Sequence, residues 1–460
     1  MPVRVGAVKA ADGTPGVRRL LSRREFVAGA VSAAGALAAG CGDGTVSGPL
    51  GARVHLPRVI ERSGIEHIIV VMMENRSFDH LLGWLPHADG RQRGLTYVDG
   101  MGASHATYPL APDFEGCGYG DPDHSYAGGR VEYNGGACDG WLRANDRFAI
   151  GYYRKEDLAF LGRAAPHWTT FDRYFAAIMA ETFPNRLYQH AAQTDRLHNT
   201  AARCTLPTIW DRLAGAGVDG RYYNNGLGFL SLWGDQYLSI GRSRDMFYQD
   251  CAAGTLPHVA FVDPPSHGEN PGTSSSDDHP YGDIRAGETF LNGIYNAVTR
   301  SPCWSRSVLV ITFDEWGGFF DHVPPPAAPI PDADRAAGAT DGLRGFRIPV
   351  VLISPFARRE HTSHTLFDHT SILRMIEWRW DLEPLTVRDA TANNLADVLD
   401  LQHPQLHAPS YPVPTITGAP CAPRSSPSVS IEARPETGVA GRRAYWQGLR
   451  ALARQHGWAL

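Results

Sequence analysis

The sequence predicts an α/β protein with a mostly parallel central sheet flanked by helices and long loop insertions over the strand ends. Three observations carry this expectation. Residues 65–73, IEHIIVVMM, form an apolar run rich in Ile and Val that turns polar at Glu74, the pattern of a strand buried on both faces of a parallel sheet. Residues 307–313, SVLVITF, repeat the pattern and break at Asp314-Glu315. In residues 283–299, Ile284, Phe290, Leu291, Ile294 and Val298 recur near helical spacing, as a covering helix requires. Open sheets of this kind place chemistry at the carboxyl ends of central strands, so the two acidic breaks are where a site is expected.

The chain begins with Ser22-Arg23-Arg24-Glu25-Phe26-Val27 ahead of a mild apolar run ending at Gly40, which reads as a twin-arginine export signal. The run is too short and small-sided to span a membrane. Ala36-Leu37-Ala38 fits an ordinary cleavage site, and Ala38-Ala39-Gly40 before Cys41 fits a lipoprotein site. Either leaves an exported chain, secreted or anchored to the outer face of the membrane through Cys41. The expected division is signal 1–41, linker 42–60, main domain 61–402, and a Pro/Ser/Gly-rich segment with a final helix over 442–458 in 403–460. Of the 460 residues only Lys9 and Lys155 are lysines, which speaks of codon usage rather than mechanism. The net charge of -5 is spread along the chain and supports neither a nucleic-acid partner nor a polybasic membrane patch. Cys117, Cys138, Cys204, Cys251, Cys303 and Cys421 allow up to three disulfides in an exported chain, and no Cys/His spacing suits a cysteine-bound zinc.

Taken in order, residues 74–80, ENRSFDH, close the first strand as a loop or helix start. Residues 81–146, rich in Gly, Asp and His, read as a long insertion; His124 lies in it, as a surface residue or an anion contact. Residues 158–174 read as mostly helical. In 180–188, AETFPNRLY, Pro184 suits the first turn of a helix running through Gln193, which puts Thr182 at its positive end, as a plain cap or as a hydroxyl for chemistry. A helix over 208–217 and strands at 220–223 and 257–262 follow, then a polar loop, 264–281, containing Asp277-Asp278-His279-Pro280. Residues 348–354 read as a strand and 368–378 as a helix whose start accounts for His369; the role of His364 stays open. Glu74 and Asn75 at one strand end and Asp314 and Glu315 at the other suit one metal site assembled from both, with oxygen ligands for Ca, Mg or Mn and with Zn or Fe not excluded.

ENRSFDH at 74–80, TFPNR at 182–186, DDHP at 277–280 and DEWGGFFDHVPPP at 314–326 together resemble the bacterial phosphoesterase family that includes non-haemolytic phospholipases C and related acid phosphatases, with an alkaline-phosphatase-like fold. The similarity runs from about residue 65 to 401. It implies Thr182 as nucleophile, with Glu74, Asn75, Asp314 and Glu315 around one divalent metal that also touches the Thr182 oxygen. It further implies His124 and His279 on the phosphate, with His279 or His322 protonating the leaving alcohol. Glu181 departs from the family, where Pro or a small residue is frequent, and 403–441 is Pro/Ser/Gly-rich where the larger phospholipases carry β-rich domains. The expectation is an exported phosphodiesterase of the phospholipase C type, acting on a phospholipid or other phosphate ester in transient or lipid-anchored contact with membrane. The alternatives are an acid phosphatase and a surface lipoprotein that binds phosphorylated ligands without turnover.

Overall fold

The computed structural model describes residues 63–225, 228–266 and 275–421. The export signal, Cys41, the linker 42–60 and the helix expected over 442–458 lie outside the described residues.

An eight-stranded sheet forms the centre. Its strands are β1 (His67–Met73), β2 (Thr169–Phe171), β3 (Gly220–Tyr223), β4 (Gly241–Arg242), β5 (Val259–Val262), β6 (Ser307–Phe313), β7 (Val351–Ile353) and β8 (His361–Ser363), in the spatial order β8-β2-β7-β6-β1-β5-β3-β4. The two apolar runs that predicted the fold are neighbours: β1 pairs with β6 in parallel from His67–Ser307 to Met73–Phe313, and every residue of both is buried. On its other side β1 pairs in parallel with β5, which pairs in parallel with β3, so the carboxyl ends of β6, β1, β5 and β3 share one edge. Only β7 reverses direction, between β6 and β2. The α/β class expected from the sequence is therefore the observed one.

Among the helices are α1 (Phe78–Leu82), α2 (Tyr126–Tyr133), α3 (Leu161–His167), α4 (Thr182–Ala191), α5 (Ile209–Gly215), α6 (Arg244–Ala253), α7 (Ile284–Thr299) and α8 (His369–Trp380). Short polar caps start several of them: Ser77, Ser125, Thr208, Asp283 and Asp368 each accept a backbone N–H in the first turn.

Two expectations need correction and two gain detail. Residues 158–174 are helical only over α3; the β-branched Thr169-Thr170 pair leaves the helix and joins β7 and β8 as β2, because ladder partners outweigh local helical preference. Residues 81–146, read as a long insertion, carry α2 and three short strands. The strand expected at 348–354 is only three residues long and antiparallel to β6. Of the three disulfides allowed, the structure forms Cys117–Cys421, while Cys138, Cys204, Cys251 and Cys303 are buried thiols. That disulfide ends a strap, residues 403–421, held by hydrogen bonds from Trp304 Nε1 to the Leu406 carbonyl (2.8 Å) and from Tyr295 Oη to the Pro409 carbonyl (2.7 Å).

On α4, His190 is packed among the rings of Trp210, Tyr222, Phe229 and Phe261. Burial, with the Arg186 charge one turn away, pushes its imidazole from 6.5 down to about 3. Between those values the unfolded chain binds a proton that the folded chain does not, so His190 withdraws stability as pH falls below 6.5. His190→Phe is expected to make the fall shallower by about 1.4 kcal/mol per pH unit between about pH 6 and 4. Urea denaturation of parent and variant at several pH values measures this, and parallel profiles would contradict a buried neutral His190.

Candidate active site

The site begins where β1 and β6 end. Met73 is followed by Glu74 and by Asn75, whose backbone is left-handed (φ 58°), a conformation Asn tolerates better than most residues. This turn aims the Asn75 N–H at Asp314 Oδ1 (3.1 Å), joining the two strand ends. Asp314 Oδ1 also accepts the Glu315 N–H (2.7 Å), and Glu315 Oε2 accepts the Gly317 N–H (2.6 Å). Gly317 and Gly318 are both left-handed, and a Cβ on either would strike Asn75 or the 122–123 backbone. The side-chain amide of Asn75 donates to His124 Nε2 (3.3 Å), while His124 Nδ1–H donates to the Pro122 carbonyl (2.8 Å). His124 is thus buried in the site rather than on the surface, 4.0 Å from Glu315 Oε1, and its ring meets that of His279 edge-on at 6.1 Å.

Each of these ligand candidates has one atom fixed and one left over. Asn75 Oδ1, Asp314 Oδ2 and Glu315 Oε1 are buried without a hydrogen-bond partner. Such oxygens are costly to bury. Burial raises the Glu74, Asp314 and Glu315 carboxyls above their ordinary range, and mutual repulsion adds to the rise of Glu74 and Glu315. A divalent cation bound by oxygen is the group this donor set fits, and Glu74, Asn75, Asp314 and Glu315 would hold it.

Thr182 is the first residue of α4 and is buried. The rest of its motif explains why it is held there. Asn185 Oδ1 accepts the Ile178 N–H (3.1 Å) and its amide donates to the carbonyls of Ala180 (2.8 Å) and Glu181 (3.1 Å), pinning the turn into the helix. Arg186, one helical turn after Thr182, sends its guanidinium to Glu74 (3.1 Å), Asp263 (3.1 Å) and Asp314 (3.5 Å). Burial works against that charge, but the three carboxylates outweigh it and raise the Arg186 pKa well above its usual value. Glu181 faces away from an anionic ligand: Oε2 accepts the Asn199 N–H (2.6 Å), Oε1 lies 3.0 Å from His198 Nδ1, and Asn199 Oδ1 accepts the Phe183 N–H (2.8 Å).

The structure places His322 in a different group of charges. Its Nδ1 lies 2.5 Å from Asp79 and its Nε2 3.0 Å from Asp89, beside the buried Arg347–Asp321 pair (2.9 Å). Burial opposes protonation there, but Asp79 prevails and raises the His322 pKa. Both ring nitrogens are engaged, so the expectation that His322 transfers the substrate proton gives way to a supporting role for it. His364 pairs with Asp172 (2.8 Å) at the exposed edge of the same network. His369 donates Nε2–H to the Asp314 carbonyl (2.7 Å) and so steadies that strand end. Sequence reasoning missed Arg186 and Asp263. Asp263 directly follows the buried run 259–262, the signal that marked Glu74 and Asp314; Arg186 lies at i+4 from Thr182.

A family model described as Phosphoesterase family matches residues 65–383. Phospholipase C B of Mycobacterium tuberculosis is 28% identical over 463 residues, covering 84% of this chain and 87% of that protein. Non-specific phospholipase C1 of Arabidopsis thaliana is 30% identical over 371 residues, covering 71% and 69%. Non-hemolytic phospholipase C of Pseudomonas aeruginosa is 28% identical over 474 residues, covering 86% and 67%. Among solved structures, a protein in the alkaline phosphatase superfamily from Vibrio parahaemolyticus aligns with 52% of this chain and 65% of its own at 12% identity and TM-score 0.33.

Two expected outcomes follow from the geometry. After chelator treatment, adding Ca²⁺, Mg²⁺, Mn²⁺ or Zn²⁺ in turn is expected to raise Tm by roughly 5 °C with the fitting ion. Asp314→Asn should lose that rise; an equal rise in the variant would put the ion elsewhere. Glu181→Ala strips acceptors from Asn199 and His198 and is expected to cost about 1–3 kcal/mol in urea denaturation; unaltered stability would show that the pairing contributes nothing.

Proposed function

The chain belongs to the Phosphoesterase family and is a hydrolase acting on ester bonds, and from that premise we propose that it is a metal-dependent phosphodiesterase of the phospholipase C type with Thr182 as nucleophile. The observation that carries the reading is the set of three buried oxygens, on Asn75, Asp314 and Glu315, that accept no hydrogen bond and are gathered at one end of β1 and β6. A divalent cation bound there would supply acidity to the threonine hydroxyl and offset charge on the phosphoryl oxygens. The chain's own groups do the rest. Thr182, at the positive end of α4, passes its proton to water and bonds to phosphorus in line, and the bond to the leaving alcohol breaks. This reading puts His124 and His279, whose rings meet edge-on, beside the non-bridging oxygens, with His124 giving up the Asn75 amide when it takes a proton to donate there. His279, whose Nδ1 lies 2.9 Å from the Pro280 carbonyl, is the residue this reading assigns to give the leaving alcohol its proton and later take one from water. Hydrolysis of the phosphothreonine releases the phosphorylated head group and restores Thr182.

A diester is favoured over a monoester by the charge of the site. A monoester brings an additional negative charge, and the Arg186 guanidinium is already committed to Glu74, Asp263 and Asp314. The curated relatives named above are phospholipases C, which favours a phospholipid such as phosphatidylcholine. Export by the twin-arginine route and lipidation at Cys41 belong to the same proposal, and the Cys117–Cys421 disulfide supports an oxidising destination.

Release of p-nitrophenol from p-nitrophenylphosphorylcholine and from p-nitrophenyl phosphate tests the reading on metal-loaded protein. The diester is expected to be preferred, and Thr182→Ala is expected to lose on the order of a thousandfold or more in kcat with its fold intact. Preference for the monoester would move the assignment to an acid phosphatase, silence on both would leave a binding protein, and residual activity near the parent's would remove Thr182 from the nucleophile role.

A further inference from the structure

We propose that a cavity at the carboxyl end of β3 seats one acyl chain of a glycerophospholipid substrate, an inference that rests on the phosphodiesterase reading above. The cavity has a volume of about 490 Å³, within the range of roughly 300–1,000 Å³ in which small ligands are held. Its floor is formed by the buried Tyr222, Leu230 and Tyr237, and its rim by Leu238 and Met246, which are 57% and 39% exposed. Large apolar side chains held in water around an apolar-floored hollow mark a place where another apolar surface comes to rest.

One polar group points to the chemistry of the occupant. Ser231 lines the cavity at 8% exposure, and its hydroxyl is buried without a hydrogen-bond partner. The ester carbonyl at the head of an acyl chain is an acceptor for that hydroxyl, with the chain continuing along the apolar floor. A cationic head group is a poorer fit, since no carboxylate lines the cavity among the described residues. A free phosphate is a poorer fit too: Nη1 of Arg242 donates to the carbonyls of Ser239 (2.8 Å) and Gly241 (2.7 Å) of its own loop, which holds part of the guanidinium there.

Position relates the cavity to the scissile bond. Tyr222 lies opposite Phe261, which lies opposite Val70, so two inter-strand steps, roughly 10 Å, separate the floor from the strand that bears Glu74 and Asn75. The short glycerol backbone that joins phosphorus to its acyl esters spans a gap of that order. The wall is also tied to the catalytic helix: the Phe229 ring meets that of Phe183, the neighbour of Thr182, at 5.4 Å, and the Phe229 N–H donates to Tyr222 Oη (3.1 Å). The same Tyr222 hydroxyl donates to Asp263, which holds Arg186.

The test compares kcat/KM for dihexanoylphosphatidylcholine, below its aggregation concentration, with kcat/KM for p-nitrophenylphosphorylcholine, which has no acyl chain. Ser231→Leu, which fills the hollow and removes the donor, is expected to lower the ratio of the two by about tenfold or more, mainly through KM for the lipid. A ratio within about twofold of the parent's would overturn the proposal. Met246→Glu, a rim change that spares the packing, is expected to move the ratio the same way and decides the matter if Ser231→Leu does not fold. Calorimetric titration with monomeric 1-lauroylglycerol reads the cavity without turnover: binding by the parent that Ser231→Leu abolishes supports it, and no binding by the parent overturns it. If the parent cleaves neither phosphodiester, the phosphodiesterase reading fails on its own and the titration alone decides the cavity.

Discussion

The carboxylates of Glu74, Asp263 and Asp314 meet at one edge of the sheet around the Arg186 guanidinium, and the Glu315 carboxylate lies within the repulsion of Asp314 and Glu74. The rest of the molecule is arranged about that imbalance. Parallel pairing of β1 with β5 and β6 brings three strand ends to the same edge, and each strand is followed at once by an acid. Like charges at such spacing in a low-dielectric setting repel strongly, which is why burial and mutual repulsion raise Glu74 and Glu315. Arg186 offsets part of the excess. The oxygens that remain without hydrogen bonds are those a hard cation takes.

The arrangement persists because the backbone holds one carboxylate oxygen of Asp314 and one of Glu315 while the other is left for the site. N–H groups of Asn75, Glu315 and Gly317 fix the carboxylates of Asp314 and Glu315, and the left-handed glycines permit the contact at a distance no side chain would allow. Around this lies a further layer. Glu132 accepts from Trp316 Nε1 (2.8 Å) and from the Asn145 amide (2.7 Å), and Asn145 Oδ1 in turn accepts the Asp123 N–H, so the loop bearing His124 is braced against the loop that follows β6. The stretch from Asp314 to His322 is divided between two tasks. Its first two acids face the site, while Asp321 and His322 join Asp79 and Arg347 in a network that fixes the turn after β1. Preorganisation of this kind spares the reaction the cost of reordering dipoles.

The hollow beyond β3 lies two strands from the acidic ends of β1 and β6 and is connected through Tyr222 and Asp263 to Arg186. Under the proposed function, a change in the hollow would act on which ester enters, and a change at Arg186 on the charge balance itself.

The sequence by itself determined the strands that form the centre and the residues at their ends, because continuous Ile/Val runs and abrupt acidic breaks are local signals. It also determined the start of α4, since Pro184 and the TFPNR spacing are local. Arg186 and Asp263 were legible in principle, by i+4 spacing and by position after a buried run, yet their role depends on partners 77 or more positions away. The tertiary structure alone decided that Thr169-Thr170 pair as a strand, that His124 is buried while His322 serves another network, that Glu181 turns to Asn199, and that Cys117 meets Cys421. Each of these is a choice among partners distant along the chain, made by which surfaces the folded sheet brings within bonding distance, and no local pattern of residues encodes that distance.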